Sequence, residues 1–386
     1  MAGVTPPGAV QNSAMRGAFR SGGKALPGDA RRHNRGLVLG QLLHHGPHSR
    51  ADLARVTHLT GATVGALVAH LLDEGLVVER GRRSAGTGKP ATLLEVVPDA
   101  RHAVCLDLSD HDRFAGGLVN LTGQISERRS LEREGRTGAA AGSLVAELAT
   151  ALLAGTDKPV LGVGVGSPGI VFPGGVVQEA SNLGWHHAPL GTELGEALGG
   201  IPVLVVNDAN AAVLGEFRFG ARRGQSLLLI KVGLGVGAGL VLDGRLVEGE
   251  ESAAGEIGHV VVDEEGEPCA CGNRGCLETV LADARLRPRL DGLGTAERQS
   301  VLAAAGARLG RALAPVIGLL NLRDVVVSAP AGLLDEVFRV SLVEAVRSRI
   351  IPLAGGGVEA TFSSTGKEDV LLGTAAAVMN KQLGVA

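Results

Sequence analysis

The chain has 386 residues, a formal net charge of −3, 45% hydrophobic residues and 20% charged residues. This length suggests two or three domains, and the composition is that of a globular protein. The charge excludes a polycationic chain, and seven Phe, one Trp and no Tyr disfavour the binding of single strands by aromatic stacking. Because the first 33 residues lack the apolar segment of a signal peptide, and no run of about 18 apolar residues predicts a membrane helix, we expect a cytoplasmic protein without a membrane partner.

The first part of the chain has the order of elements of a winged helix-turn-helix. Residues 1–30 are rich in Gly, Pro, Ser and Arg and are predicted to be a disordered tail. The spacing of apolar residues predicts a helix that begins near Asn34, a second helix capped by Ser49 and a third over about Thr60–Asp73. Two β-rich segments, LVVER and ATLLEV, follow and are separated by a Gly-rich hairpin. We therefore predict a winged helix-turn-helix DNA-binding domain over residues 31–97, with its third helix in the major groove.

The positive charge of this domain lies in the predicted wing and not in its third helix. The third helix offers Thr60 and Thr63 for contacts with phosphates or a thymine methyl group, but no arginine that could bind guanine with two hydrogen bonds. The wing is basic, and its glycines let it approach the DNA backbone or enter a minor groove. The alternative is a three-helix protein-interaction module with a solvated basic loop. The predicted DNA contacts are Thr60, Thr63, Arg80, Arg82, Arg83 and Lys89, with Arg31, Arg32 and Arg35 as further candidates for phosphate contacts.

Beyond residue 100 the pattern becomes α/β. The segments HAVCLDL, RFAGGLVNL and GQISERRSL are predicted to be three successive strands, followed by a helix over residues 138–154 and the strand PVLGVGV. A second series of strands runs IPVLVVND, SLLLIKVGLG, GAGLVLDG and RLVEG. Two strand-rich halves of similar order predict an internally duplicated α/β domain over residues 101–386. Cys105 lies in the first apolar strand and is expected to be a core residue.

Three of the four cysteines are clustered. Cys269, Cys271 and Cys276 have the spacing C-x-C-x4-C, and His259 lies ten residues before the first of them. Three thiolates and one imidazole can form a closed tetrahedral Zn²⁺ site. Because such a site leaves no open position for water, the predicted zinc is structural, and its binding energy would fold a loop that has little apolar core of its own. The alternative is a group of free buried thiols.

The segments around the cysteines resemble a known family. The motif E-x-G-H, from Glu256 to His259, followed by C-x-C-G-x-x-G-C-x-E, from Cys269 to Glu278, is similar to the signature of the ROK family of repressors and sugar kinases. With the N-terminal domain, the resemblance is to the NagC, Mlc and XylR type of repressor and extends from about residue 31 onward. It implies an actin-like, hexokinase-like fold, and zinc on His259 and the three cysteines. It also implies sugar-hydroxyl contacts from Asn207, Asp208, Glu256, His259 and Glu278, with further sugar contacts from Gly169 and Ser181.

Asp208 has two interpretations. An aspartate after a strand often caps the following helix, and this would explain its position without a ligand. By the resemblance, however, Asp208 stands where the family's kinases carry the catalytic base that removes a proton from the attacking hydroxyl. Its occurrence together with Glu256, His259 and Glu278 favours the sugar site.

The predicted phosphate-binding turns depart from the kinase pattern. Where those kinases have D-x-G-x-T, this chain has Asp107 followed by Leu, Ser, Asp110, His and Asp112, and the added carboxylates would repel a polyphosphate. Where the kinases favour T-x-G-T-G, Val232–Gly237 keeps the glycines without a hydroxyl side chain. Ser328–Gly332 replaces the glycine-rich turn expected near adenosine. We therefore expect no kinase activity.

These features predict a sugar-responsive transcription regulator, a repressor of carbohydrate uptake or catabolism genes that sugar binding relieves. We expect a homodimer or a dimer of dimers that binds an inverted repeat in double-stranded DNA, because a short recognition helix gives little affinity alone. Sugar binding would close the cleft between two lobes and change the spacing of the DNA-binding domains. The alternatives are a ROK family sugar kinase with a regulatory DNA-binding domain, and a scaffold that dimerises through its helices.

Overall fold

The computed structural model describes residues 27–83, 91–221, 224–352 and 356–385, without the side chains of residues 27–29 and 82–83. Residues 1–26 of the predicted tail and Lys89 of the predicted wing lie outside this range. We call the elements before residue 97 the head. In chain order they are α1 (Pro27–His45), β1 (His48–Ser49), α2 (Arg50–Thr57), α3 (Gly61–Asp73), β2 (Val77–Arg83) and β3 (Ala91–Val96).

Local capping explains the helices of the head. Ser49 accepts a hydrogen bond from the backbone of Asp52, whose side chain accepts one from the backbone of Ser49, so that the two residues form a capping box at α2. Thr60 caps α3 in the same sense by accepting from the backbone of Thr63. These two helix starts confirm the predicted ones. The predicted start of α1 near Asn34 is wrong, because the helix begins at Pro27, where proline's fixed φ suits a first helical residue.

The rest of the described chain forms two lobes, each built on a five-stranded sheet. The first sheet has the order β11-β7-β4-β5-β6, and the second has the order β14-β13-β12-β15-β16. In each, three consecutive antiparallel strands are followed by two parallel ones, so the same topology occurs twice. This repetition confirms the predicted duplication. The strands of the two sheets are β4 (His102–Asp107), β5 (Arg113–Asn120), β6 (Ile125–Glu132), β7 (Val160–Ser167), β11 (Val203–Asn207), β12 (Leu227–Val232), β13 (Val236–Leu242), β14 (Arg245–Leu246), β15 (Asp324–Ser328) and β16 (Glu359–Phe362).

One strand lies in a different lobe from the one that its sequence position suggested. The segment IPVLVVND contains β11, which was predicted to open the second series, but β11 pairs in parallel with β7 in the first sheet. It reaches that position through a small sheet and a helix that cross over from β7, as parallel strands require. The crossover consists of β8 (Ile170–Phe172), β9 (Val176–Ala180), β10 (Trp185–Ala188) and α5 (Leu190–Ala197).

Two helices lie between the sheets. α6 (Asp208–Phe219) packs on β12 and β13 of the second sheet, while α11 (Asp369–Leu383) packs on β4 and β7 of the first. The helices approach closely because each has a glycine at the contact. A Cβ on Gly373 would lie 1.6 Å from the carbonyl oxygen of Ala211, and a Cβ on Gly215 would lie 2.3 Å from that of Asp369. The remaining helices are α4 (Gly138–Leu153), α7 (Glu278–Leu281), α8 (Asp283–Leu290), α9 (Thr295–Leu320) and α10 (Glu336–Arg347).

The head shares its hydrophobic core with the first lobe. Val38 and Leu39 of α1 belong to one buried cluster with Met379 and Leu383 of α11, and the cluster continues to Cys105 of β4. Cys105 is fully buried there, which confirms its prediction as a core residue. The head is therefore packed as an extension of the first lobe and of α11.

Polar contacts reinforce this junction. Arg35 of α1 donates to the carbonyl oxygen of Leu383 at 3.4 Å and pairs with Glu74 in the head. Arg218 near the end of α6 is buried and donates to the imidazole of His44. The C-terminal ends of both α6 and α11 thus contact α1. Arg35 thus makes contacts within the molecule, and the phosphate contact suggested for it stays a prediction.

One described helix, α9, is long and apolar enough to cross a membrane when it is judged by length and composition alone. Its most apolar window is 44% buried. The helix packs tightly on α10, where a Cβ on Gly306 would lie 2.2 Å from the carbonyl oxygen of Phe338.

Candidate functional site

A polar cleft opens where β11 meets α6, at the boundary of the two lobes. Its cavity volume is about 180 Å³, and it includes all five side chains predicted to bind sugar hydroxyls, together with Gly169. Ser181 is not among the lining residues, and its hydroxyl donates to Glu179 at 2.6 Å. Its predicted sugar contact stays a prediction. The cleft is lined by Ser109, Pro168, Gly169, Asn207, Asp208, Ala209, Lys231, Gly233, Leu234, Gly235, Val236, Gly237, Glu256, His259 and Glu278.

Asn207 and Asp208 divide two roles between them at the start of α6. The side-chain oxygen of Asn207 accepts from the backbone of Ala209 at 2.9 Å and of Asn210 at 3.0 Å, so Asn207 is the helix cap. Its amide nitrogen donates to the carbonyl oxygen of Gly169 at 2.9 Å. Asp208 is therefore not the capping residue. One of its oxygens accepts from the backbone of Ala209, the other lies beside the ammonium of Lys231, and the residue lines the cleft.

Lys231 pairs with Asp208 in the cleft and was not predicted as a site residue. Its Nζ lies 3.0 Å from Oδ2 of Asp208, and both side chains are more than four-fifths buried. Burial alone would lower the pKa of Lys231, but the carboxylates of Asp208, Asp107 and Asp369 outweigh it and raise that pKa. Lys231 is therefore an ammonium ion. The signal that could have revealed it is a lysine within the apolar strand LLLIKV.

The two ring nitrogens of His259 face different groups. Nδ1 lies 3.6 Å from the sulfur of Cys269, and Nε2 lies 3.8 Å from a carboxylate oxygen of Glu256. Partial burial beside other acids raises the pKa of Glu256. Glu278 accepts from the backbone of Val236 at 3.1 Å, which ties it to the glycine-rich turn after β12. One imidazole can thus serve the cysteine cluster with one nitrogen and the cleft with the other.

The predicted metal ligands converge in space. The ligand atoms of His259 and the three cysteines all lie within 4.8 Å of one another. Cys276 is fully buried, and a backbone hydrogen bond at Asn273 lowers the pKa of the Cys271 thiol to about 7. A thiol of this pKa is largely ready to lose its proton on metal binding. Three sulfurs and one nitrogen at this spacing fit a four-coordinate metal ion.

The first of the predicted phosphate-binding turns, after β4, is folded around its own acids. Asp107 accepts from both the backbone and the hydroxyl of Ser109, at 2.9 Å and 2.7 Å. Asp110 accepts from the backbone of Asp112 at 2.8 Å. The N–H groups of Ser109 and Asp112 therefore already donate to carboxylates and are not free to bind a phosphate.

Those predicted DNA contacts that the structure describes lie on the head and are not among the residues that line this cleft. Thr60 is exposed and Thr63 is half-buried, and their hydroxyl oxygens are 2.9 Å apart at the start of α3. Arg80 is exposed and its Nε lies 3.3 Å from the Glu95 carboxylate on the next strand. The backbones of Arg82 and Arg83 belong to β2, but their side chains lie outside the described residues, as does Lys89.

The structure joins a winged helix-turn-helix head to a duplicated, two-lobed, actin-like domain that has a polar cleft between its lobes. This combination defines the class of the protein: a helix-turn-helix domain fused to a sugar-kinase-like domain. The ROK family profile matches residues 104–381, and the MarR family profile matches residues 34–89 in the head. The chain belongs to the ROK family.

Relatives and solved structures agree with this assignment. The chain is 35% identical over 266 residues to a putative xylose repressor of Caldicellulosiruptor sp. (strain Rt8B.4), a match that covers 66% of this chain and 64% of that relative. It is 26% identical to the xylose repressor of Bacillus spizizenii (strain ATCC 23059 / NRRL B-14472 / W23) over 91% of this chain and 96% of that one. A solved ROK family transcriptional regulator, described as a homologue of the E. coli Mlc protein, has a TM-score of 0.79 at 24% identity, covering 92% of this chain and 98% of that one. This last likeness confirms the predicted fold.

Kinases are also among the relatives. The chain is 38% identical over 180 residues to a glucokinase of Thermotoga maritima, which covers 45% of this chain and 55% of that one. Membership of the family alone therefore does not decide between a regulator and an enzyme.

Proposed function

We propose that this protein is a sugar-responsive transcription regulator that represses genes of carbohydrate uptake or catabolism until a sugar binds. The observation that carries the proposal is the path from cleft to head: α6 and α11 both begin at the acidic residues around Lys231 and both end against α1. The xylose repressor named above that aligns over nearly its whole length supports the same function.

The cleft supplies partners that a sugar needs. Sugar hydroxyls bind best to paired donors and acceptors of fixed direction, which carboxylates, amides and imidazoles provide. Asp208 is fixed by Lys231 and by the backbone of Ala209, and Glu278 is fixed by the backbone of Val236. We assign the sugar contacts to Asn207, Asp208, Glu256, His259 and Glu278, with Gly169 and Ser181 as further contacts.

The metal at the cysteine cluster is zinc, with a structural role. All four ligand positions come from protein, on His259, Cys269, Cys271 and Cys276, so no position is left for a water nucleophile. Zinc binding would fix the ring of His259, whose other nitrogen faces the cleft, and the start of α7 at Glu278 two residues after Cys276. The ion thereby supports the sugar site without reacting with the sugar.

The same cleft is poorly suited to phosphoryl transfer, so we assign no kinase activity. The expected result is that purified protein forms no sugar phosphate from ATP and any of a panel of aldoses and N-acetylhexosamines, measured by coupled ADP release. The Thermotoga glucokinase likeness favours the alternative, a kinase with a regulatory head. Sugar phosphate formation that disappears in Asp208→Asn would establish that alternative, because Asp208 occupies the position of the base.

Sugar binding changes the affinity for DNA through a rigid-body motion of the lobes. Closure of the cleft shifts α6 and α11, which lie between the lobes, and α1 follows because it packs on the ends of both. In a homodimer, or a dimer of dimers, the two heads would then no longer match the two half-sites of an inverted repeat. The cytoplasm is the compartment in which such a regulator meets both DNA and imported sugar.

A mobility-shift experiment tests the proposal. An operator is first selected from a random duplex pool with full-length protein, and its binding is then titrated with unphosphorylated aldoses and N-acetylhexosamines. We expect at least one sugar to lower operator affinity about tenfold or more, a coupling of typical size for allosteric regulators. Asp208→Asn should keep operator binding and lose the sugar effect.

A pair of arginine variants, one a test and one its control, examines the predicted contact between the wing and DNA. Arg82→Ala with Arg83→Ala should weaken operator binding and reduce its salt dependence, because wing cations release counterions from DNA. Arg129→Ala, an exposed arginine on β6 that pairs with Glu127, should change neither. Failure to select any duplex, or an operator affinity that no sugar changes, would contradict the proposal.

A further inference from the structure

Lys231 is surrounded by carboxylates from three elements. It lies on β12 of the second lobe, while Asp107 ends β4 of the first lobe, and Asp208 and Asp369 are the first residues of α6 and α11. Asp208 is the direct partner at 3.0 Å, and all three carboxylates raise the pKa of the ammonium against the effect of its burial. One cation of the second lobe therefore compensates three acids, one from the first lobe and one from each interlobe helix.

The pKa values of the buried acids reflect this shortage of positive charge. Burial raises the pKa of Asp369 to about 6, and the ammonium of Lys231 and a hydrogen bond from Ser328 oppose that shift. Burial also raises the pKa of Asp107, again against the effect of Lys231. Without a positive charge among them, these carboxylates would repel one another and take up protons.

The position of Lys231 in the chain adds a second, independent observation. When Gly233 and Gly235 are aligned with the glycines of the kinase pattern T-x-G-T-G, Lys231 stands where the first threonine would be. Its Nζ lies 3.8 Å from where a Cβ on Gly233 would be, so the ammonium sits against the glycine-rich turn. In a phosphoryl-transfer site the charge next to such a turn is supplied by a divalent cation with its nucleotide.

We propose that Lys231 is a positioning residue that acts as a built-in cation in this cleft, holding the Asp208 carboxylate in place for a sugar hydroxyl without nucleotide or divalent metal. The sugar contact in this statement rests on the proposed function, whereas the role of Lys231 as internal cation does not. A lysine can fill this role because its ammonium is a compact point charge with three donors.

The experiment replaces the cation with the hydroxyl of the kinase pattern and uses Mg²⁺ alone as the probe. We expect Lys231→Thr to lower Tm by about 5 °C or more near pH 8, since it leaves buried acids without a counter-charge. The deficit relative to wild type should shrink as the pH falls towards about 5, because those acids then take up protons. About 10 mM Mg²⁺ should raise the Tm of Lys231→Thr by several degrees and leave the wild type unchanged. The comparison at each pH is between the two proteins, because Glu256, His259 and Glu278 line the same cleft in both.

Three matched variants separate charge from packing. Lys231→Arg keeps a cation and should recover most of the Tm, whereas Lys158→Thr removes an exposed lysine beside Asp157 and should change nothing. Lys231→Thr with Asp369→Asn removes one acid together with the cation and should be more stable than Lys231→Thr alone. This double variant also allows the role of Lys231 to be tested if Lys231→Thr alone does not fold.

Several outcomes would overturn the inference. The first is a Lys231→Thr protein that has the Tm of the wild type at both pH values and does not respond to Mg²⁺. The second is a double variant that is no more stable than Lys231→Thr. The third is a wild type whose own Tm rises with Mg²⁺. None of these measurements uses sugar or DNA. A failure of the proposed function would therefore appear separately, as an operator that no sugar releases.

Discussion

Replacing Cys276 with serine is expected to abolish zinc binding and to lower Tm by about 5 °C or more. Cys276 is fully buried, and the segment from His259 to Leu277 is held by backbone hydrogen bonds between its own residues, such as that from Leu277 to Val260 at 2.9 Å. Zinc contributes about 10–16 kcal/mol to the folding of small zinc domains, so even a fraction of that energy is large here. Metal content per chain and thermal unfolding, each with and without a chelator, measure the effect.

Cys105→Ala is the matched control for the zinc site. It also removes a fully buried thiol, but from the apolar strand β4, far along the chain from the ligand cluster. It should lose some stability and keep its zinc. Since Glu278 follows Cys276 by two residues, Cys276→Ser should also weaken the binding of whatever sugar the screen identifies. A Cys276→Ser protein that retains one zinc per chain, or a wild type that contains no metal and ignores chelators, would contradict the assignment.

Gly36→Ala is expected to loosen the head from α11 and to lower the free energy of unfolding by about 1–3 kcal/mol. A Cβ at this position of α1 would lie 2.0 Å from the carbonyl oxygen of Gly384, and backbone cannot move aside as cheaply as a side chain. Gly40→Ala, one turn further along the same helix, meets no atom within 4 Å. It should therefore stabilise the protein by up to about 1 kcal/mol, because alanine favours a helix more than glycine does. Urea unfolding of the two variants measures the difference.

The same pair of variants tests the route from cleft to DNA. If α1 follows α6 and α11, Gly36→Ala should reduce the effect of sugar on operator affinity more than it reduces either sugar binding or operator binding alone. Gly40→Ala should leave that effect intact. Equal unfolding free energies and equal sugar responses in the two variants would show that the contact of Gly36 with Gly384 has no role in either.

Local signals made most of the fold predictable. Ser49 and Thr60 cap α2 and α3 as their side-chain chemistry requires, and the alternation of strands and helices revealed the duplicated domain. What could not be predicted depends on contacts between distant segments. The allocation of β11 to the first sheet is decided by its pairing with β7, and the union of the head with α11 is decided by a shared core. Neither leaves a periodic pattern in the chain.

The candidate site was likewise predictable only where local sequence signals exist. The cysteine spacing and the E-x-G-H motif predicted which residues meet, and the structure brings His259 together with the three cysteines. The sequence could not show that Asn207 is the helix cap and Asp208 is the cleft residue, because this depends on the backbone geometry at the start of α6. Lys231 was missed because a lysine in an apolar strand is meaningful only when its distant partners, such as Asp369, are known.

A ribosome that makes this chain releases α1 long before it makes the residues that complete the hydrophobic core around that helix. Arg35 and its acceptor Leu383 are 348 positions apart, and Met379, Leu383 and Val385 belong to the same buried cluster as Leu39. A nascent or prematurely ended chain therefore exposes the apolar side of α1 and lacks a finished head. The head can therefore be completed only after both lobes have been made.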